Sequence, residues 1–203
     1  MLMNTHHATA RRCAGFTLIE LLVTLTLMAL LLASAMPAMS SWAADARLRS
    51  VAEQLQNSLR LAQSEAIRRN RQTVLALTNA APALDASPSA DGQRWFVRSL
   101  PLLAGEAASD ADYIQDSSSA RQSNVTLSGA ALICFNSMGR QTSNSATGLG
   151  ASCSAPTDAS TPSRYTLRTS GASHDLQLQI YLGGQVRLCN PSRSLSDTSP
   201  DGC

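Results

Sequence analysis

From Phe16 to Met36 the chain is apolar with one exception, Glu20. A helix of that length is about 30 Å long, the thickness of a bilayer's hydrocarbon core. Such a run is either removed as an export signal or kept as an anchor. It is longer than a usual signal core, although the small residues from Ala33 to Ala35 would admit a cleavage site. An isolated carboxylate in lipid is costly, so Glu20 reads as functional by default. The bland alternative is a side chain that snorkels to the headgroups from one turn inside the run. Upstream, Met1 to Gly15 hold Arg11 and Arg12 and no acid. Positive flanks stay cytoplasmic, which sends the remainder of the chain to the other side.

Beyond the run the composition is that of a soluble domain rich in Ser, Thr, Asn and Ala. The whole chain is 44% hydrophobic, enough for a core. Its 16 basic residues are all Arg, set against 14 acids for a net charge of +2. Chemistry that needs a Lys, such as a Schiff base or a phosphate-loop Lys, is excluded. Overall charge points neither to a nucleic-acid binder nor to a polyanion.

Pro37 is expected to end or kink the apolar helix, and Trp42 stands where a membrane-interface aromatic would. Leu48, Ala52, Leu55, Leu59, Ala62 and Ala66 then recur at spacings of four and three, one apolar stripe on a helix. Asp45 with Arg49, and Glu65 with Arg69, are spaced as acid-before-base pairs. Arg68, Arg69 and Arg71 invite a phosphate-binding reading, but cations also suit a helix C-terminus through its dipole. After Arg71 the period shortens. Seven segments read as strands: Thr73–Thr78, Arg94–Leu100, Val125–Leu127, Ala131–Phe135, Arg164–Arg168, Asp175–Tyr181 and Gln185–Leu188. A further short strand is suspected around Tyr113-Ile114. Gly183-Gly184 signals a hairpin between the last two. The intervening loops, 79–93, 104–124 and 141–163, are long and poor in large residues, which suggests functional or mobile segments.

Four stretches carry a family resemblance. Arg11-Arg12-Cys13-Ala14-Gly15-Phe16-Thr17-Leu18-Ile19-Glu20 resembles the class III signal of type IV pilins and type II secretion pseudopilins. Leu61 to Arg71, Ile133-Cys134-Phe135-Asn136-Ser137-Met138-Gly139 and Gly183 to Cys189 resemble segments of the GspH/FimT family of minor pseudopilins and minor pilins. The resemblance implies cleavage between Gly15 and Phe16 by a membrane prepilin peptidase, N-methylation of Phe16, and Glu20 facing a neighbour's N-terminal amine to set subunit register. It implies a pilin-like α+β fold, with a long N-terminal helix, half transmembrane and half amphipathic, packed on an antiparallel β-sheet or sandwich. The expected divisions are a leader over 1–15, a transmembrane and polymerisation helix over 16–37, an amphipathic helix over 38–71 and a periplasmic β-rich domain over 72–203. Expected partners are the peptidase, other pilins or pseudopilins, and inner-membrane lipid.

Removing the leader leaves Cys134, Cys153, Cys189 and Cys203, whose three alternative pairings are all open in an oxidising compartment. The shortest loops join Cys134 to Cys153 and Cys189 to Cys203. No close C-x-x-C pair supports a zinc site, and no cofactor is expected. His174, beside Asp175, is the one His left, without a nucleophile elbow or phosphate loop to accompany it, so it reads as a surface residue in a turn. The function implied is structural: a minor subunit of a type IV pilus or type II secretion pseudopilus, and not an enzyme. The alternative is a DNA-binding minor pilin acting in DNA uptake. The family's basic G-R-x-R motif falls here on Gly184-Gln185-Val186-Arg187, so half its charge is missing and Arg187 and Arg193 remain as the candidate DNA contacts.

Overall fold

The computed structural model describes residues 15–102, 106–117 and 124–203, apart from the side chains of residues 34–38. One helix, α1 (Leu18–Arg69), is followed by nine strands: β1 (Thr73–Thr78), β2 (Arg94–Ser99), β3 (Tyr113–Asp116), β4 (Val125–Gly129), β5 (Leu132–Phe135), β6 (Gln141–Thr142), β7 (Ser163–Thr169), β8 (Leu176–Ile180) and β9 (Val186–Cys189). The helix assignment continues through Pro37, so that residue does not end it. By contact the chain separates into Met1–Met39 and Ser40–Cys203.

Within Ser40–Cys203, all strand pairs are antiparallel and form two sheets, in the orders β3-β2-β1-β5-β6 and β4-β7-β8-β9. The predicted helical stripe is the centre of the core. Leu48, Ala52, Leu55, Leu59, Ala62 and Ala66 are buried against Leu75, Leu77, Trp95, Val97, Ile133 and Phe135 of the first sheet. Val125, Leu127, Tyr165, Leu167, Leu178 and Ile180 of the second sheet close the same cluster. Period-two alternation explains the arrangement: every second residue of a strand shares a face. Trp95 donates its indole N–H to Ser58 Oγ at 2.9 Å, so the largest core side chain has its one polar atom paired.

The first sheet is buried on both faces. Val74, Ala76, Phe96, Leu132 and Cys134 point away from the helix into a second cluster that includes Ala86 and Cys153. Two of the long loops expected to be functional or mobile, 79–93 and 141–163, cover that face. Ser89 N–H donates to Leu77 O at 2.8 Å, Arg98 Nη1 to Leu84 O at 2.8 Å, and Thr78 Oγ1 to Ser87 O at 2.9 Å, tying loop 79–93 to the strands. Cys153, bonded to Cys134, does the same for the following loop.

The helix ends as its sequence dictates. Asn70 takes a left-handed φ of 50°. Its N–H donates to Ile67 O at 3.2 Å and that of Arg71 to Ala66 O at 3.2 Å, the Schellman closure in which Asn substitutes for Gly. Four residues upstream of Ile67, Gln63 Nε2 donates to Gly139 O at 2.8 Å. Gly184, in the β8–β9 hairpin with φ 90°, sits against the same carbonyl and the same amide, and a Cβ there would lie 2.0 Å from Gly139 O. Two turns therefore converge on one helix side chain.

Candidate processing and assembly site

Gly15, Phe16 and Thr17 precede the first helical residue, Leu18. Thr17 is the N-cap: its Oγ1 accepts from Glu20 N–H at 3.3 Å and its carbonyl from Leu21 N–H at 3.2 Å. The helix thus starts just after the Gly15–Phe16 peptide, which stays outside the helix, with the Phe16 side chain 84% exposed. Glu20 occupies the first turn, where an acid suits the positive end of the helix dipole. On both sides of it the large apolar side chains are exposed, among them Leu18 at 82% and Leu31 at 71%. Except for Gly15, the expected leader lies outside the described residues. Among the described residues no helix is long and apolar enough to cross a membrane. The side chains of residues 34–38, at the end of the Phe16–Met36 run, are not among them.

The cysteines pair as the shortest loops suggest. Cys134–Cys153 spans 5.8 Å between Cα atoms and Cys189–Cys203 spans 5.2 Å. The second bond closes a C-terminal loop that docks on the edge of β9, with Asn190 bridged to Gly202.

The two arginines proposed as DNA contacts both bond that loop. Arg187 Nη2 donates to Pro200 O at 3.0 Å and Gly202 O at 2.7 Å. Arg193 Nη1 pairs with Asp201 Oδ2 at 3.1 Å. The cluster at the helix end is likewise committed. Arg68 and Arg69 both bond Glu65, Arg69 Nη1 also donates to Ala111 O at 2.7 Å, and Arg71 Nη2 pairs with Glu106 at 2.7 Å. The Arg68 hydrogen bond, helped by Arg69 and opposed by burial, holds the Glu65 carboxyl down to about 2.

Of the two expected helix pairs, Glu65–Arg69 forms and Asp45–Arg49 does not. Arg49 turns to Glu53, at 2.9 Å, because Asp45 is taken by the β7–β8 turn. Asp45 Oδ1 accepts from Ser173 N–H and Oδ2 from Ser173 Oγ, both at 2.8 Å, and the backbone donor is the larger cause of its lowered pKa. Ser173 Oγ also lies 2.8 Å from His174 Nδ1. The order is Asp–Ser–His. A hydrolytic triad needs the imidazole between the hydroxyl and the carboxylate. Here the carboxylate accepts the hydroxyl proton directly, and the contact is a tie between α1 and a turn.

Two family matches bear on these features. Residues 51–184 match the family described as type II transport protein GspH, covering the stripe from Ala52 onward, the first sheet, and β4, β7 and β8 of the second. The chain belongs to the GspH family. Residues 10–36 match the prokaryotic N-terminal methylation motif, which covers the cap, Glu20 and the apolar run. This GspH-family chain is also similar in fold to the type IV minor pilin FimU of Pseudomonas aeruginosa strain PAO1. That likeness has 17% identity and a TM-score of 0.44, over 71% of this chain and 92% of the other. The minor pseudopilin EpsH of the Vibrio cholerae type 2 secretion system is similar at 13% identity and a TM-score of 0.42, over 72% of this chain and 99% of that one. No curated protein matches the sequence.

Proposed function

We propose that this GspH-family chain is a minor structural subunit of an envelope filament, a type IV pilus or a type II secretion pseudopilus. It acts by polymerising and not by catalysis. The observation that carries this reading is the joining, in one chain, of an N-terminal methylation motif at residues 10–36 to a GspH domain at 51–184. In this reading a prepilin peptidase cuts between Gly15 and Phe16 and Phe16 is N-methylated. Phe16–Met36 then anchors the subunit in the inner membrane, with Trp42 near the interface and the domain in the periplasm. A helix half that exposes Phe16, Leu18 and Leu31 must be covered. Lipid covers it before assembly, and the helices of other pilins or pseudopilins cover it afterwards. Glu20 is then the one charge among apolar side chains, and a neighbour's N-terminal amine at low dielectric is the partner that offsets its burial.

The test is replacement of Gly15 by a bulky residue. Uncut precursor should accumulate in the inner membrane, while mature-sized protein from that variant would refute the assignment of the cut. A deletion strain scored together for twitching, DNA uptake and exoprotein secretion identifies the host machine.

A further inference from the structure

Between Cys153 and β7 the chain forms a loop whose neck is fastened three ways. Cys153 is bonded to Cys134 on β5. Gln141 Nε2 donates to Ser154 O at 3.3 Å and to Ser163 Oγ at 2.7 Å, so one amide holds both stems. Ala155 N–H donates to Ser143 Oγ at 2.9 Å. From this neck residues 157–161 project, all exposed, as Thr157-Asp158-Ala159-Ser160-Thr161 between Pro156 and Pro162. A loop with a fastened neck and an exposed tip is a presented segment.

Its chemistry limits what it presents. The tip has no aromatic or Arg side chain, the types that anchor protein interfaces. Its one charge is used internally: Asp158 Oδ1 accepts from Ser160 N–H at 2.8 Å, Ser160 Oγ at 2.6 Å, Thr161 N–H at 2.8 Å and Thr161 Oγ1 at 2.9 Å. Those donors, Ser160 Oγ first, lower the Asp158 pKa. Two of the three tip hydroxyls are therefore tied down. Among the described residues Thr157 has no hydrogen-bond partner, and it follows a proline that restrains the backbone. A Ser/Thr-rich segment with prolines, displayed outside a folded core, is the composition of O-glycan acceptors.

We propose that Thr157 is the acceptor of an O-linked glycan, added in the periplasm from a lipid-diphosphate-linked sugar. Thr157 Oγ1 attacks the anomeric carbon of the donor. The bond from that carbon to the phosphate oxygen breaks, the lipid diphosphate leaves with the bonding pair, and the hydroxyl proton passes to a base on the transferring enzyme. The proposal rests on the periplasmic placement put forward above.

The test is the intact mass, with fragmentation, of the full chain purified from its native host, beside Thr157→Ala and Ser160→Ala. The expected result is a sugar mass on the parent chain and on Ser160→Ala that is lost in Thr157→Ala. The same spectra report loss of residues 1–15 and formation of both disulfides. A chain with its leader removed, its disulfides formed and the loop at bare polypeptide mass overturns the acceptor assignment alone. A sugar retained in Thr157→Ala overturns the choice of residue. A chain with free thiols and no sugar overturns this proposal and the placement together.

Discussion

Gln63 shows how much a single polar side chain can organise. Its amide holds Gly139 O, and Gly184 packs on both groups, so a side chain at Gly184 would displace the Gly139 turn, while one at Gly139 would press on Ile67 and Gln63. Gly184→Ala would combine a disfavoured φ with a Cβ–carbonyl clash, and the expected loss is about 3 kcal/mol. Urea denaturation followed by tryptophan fluorescence should show the midpoint fall with the slope unchanged. Ser58→Ala removes the acceptor of the Trp95 indole and leaves a buried donor unpaired. A loss of about 1–3 kcal/mol is expected in the same measurement. Glu65 sets an acid limit. Its folded pKa of about 2 lies below the ordinary value of 4.5, so its contribution is complete above about 4.5 and fades as pH falls toward about 2. Stability measured between pH 6 and 2.5 should decline, and Glu65→Gln should flatten that decline. A slope unchanged in Glu65→Gln would assign the acid sensitivity to other carboxylates.

Elements differ in how openly the sequence announces them. The helix stripe was legible because six small or aliphatic residues keep one face for five turns, and Leu59 at its centre is fully buried as that pattern requires. Leu59→Asp would bury an unpaired charge there, at a cost of about 3–5 kcal/mol, and the domain should be recovered unfolded or insoluble. β1 matched its predicted bounds, and the other long strands came within two residues of theirs. β6 is two residues long and held by pairing to β5, so no local pattern could reveal it. The division into two sheets was hidden for a similar reason: alternation says which residues share a face and is silent on which strand lies beside which. The outer cover of the first sheet escaped because Ala86, Leu149 and Ala151 are scattered in polar loops with no period. Asp45 was misread because its partner, Ser173, is 128 residues away. The N-terminal methylation motif was readable in the residues themselves, and so were both disulfides by loop length. The arginines of β9 and the tail were not, since their acceptors are backbone carbonyls that only the folded tail brings close.

For the whole molecule, Glu20→Ala should separate insertion from assembly. Insertion and cleavage should proceed, while incorporation into the filament falls, as judged by sheared-filament fractions. Normal incorporation would remove the register role from Glu20. Replacing both Cys134 and Cys153 by Ala should lower the stability of the domain by about 3 kcal/mol, read as a shift in its thermal midpoint. A last consequence concerns time. The apolar stripe of α1 emerges from the ribosome before any of its cover, and part of that cover, Val186, comes 120 residues after Ala66. At roughly 5–20 residues per second the stripe waits on the order of ten seconds for its final neighbours. Throughout that interval Leu48, Leu55 and Leu59 are sticky and unpartnered, so this chain's vulnerable moment falls during synthesis, when it needs a chaperone's hold.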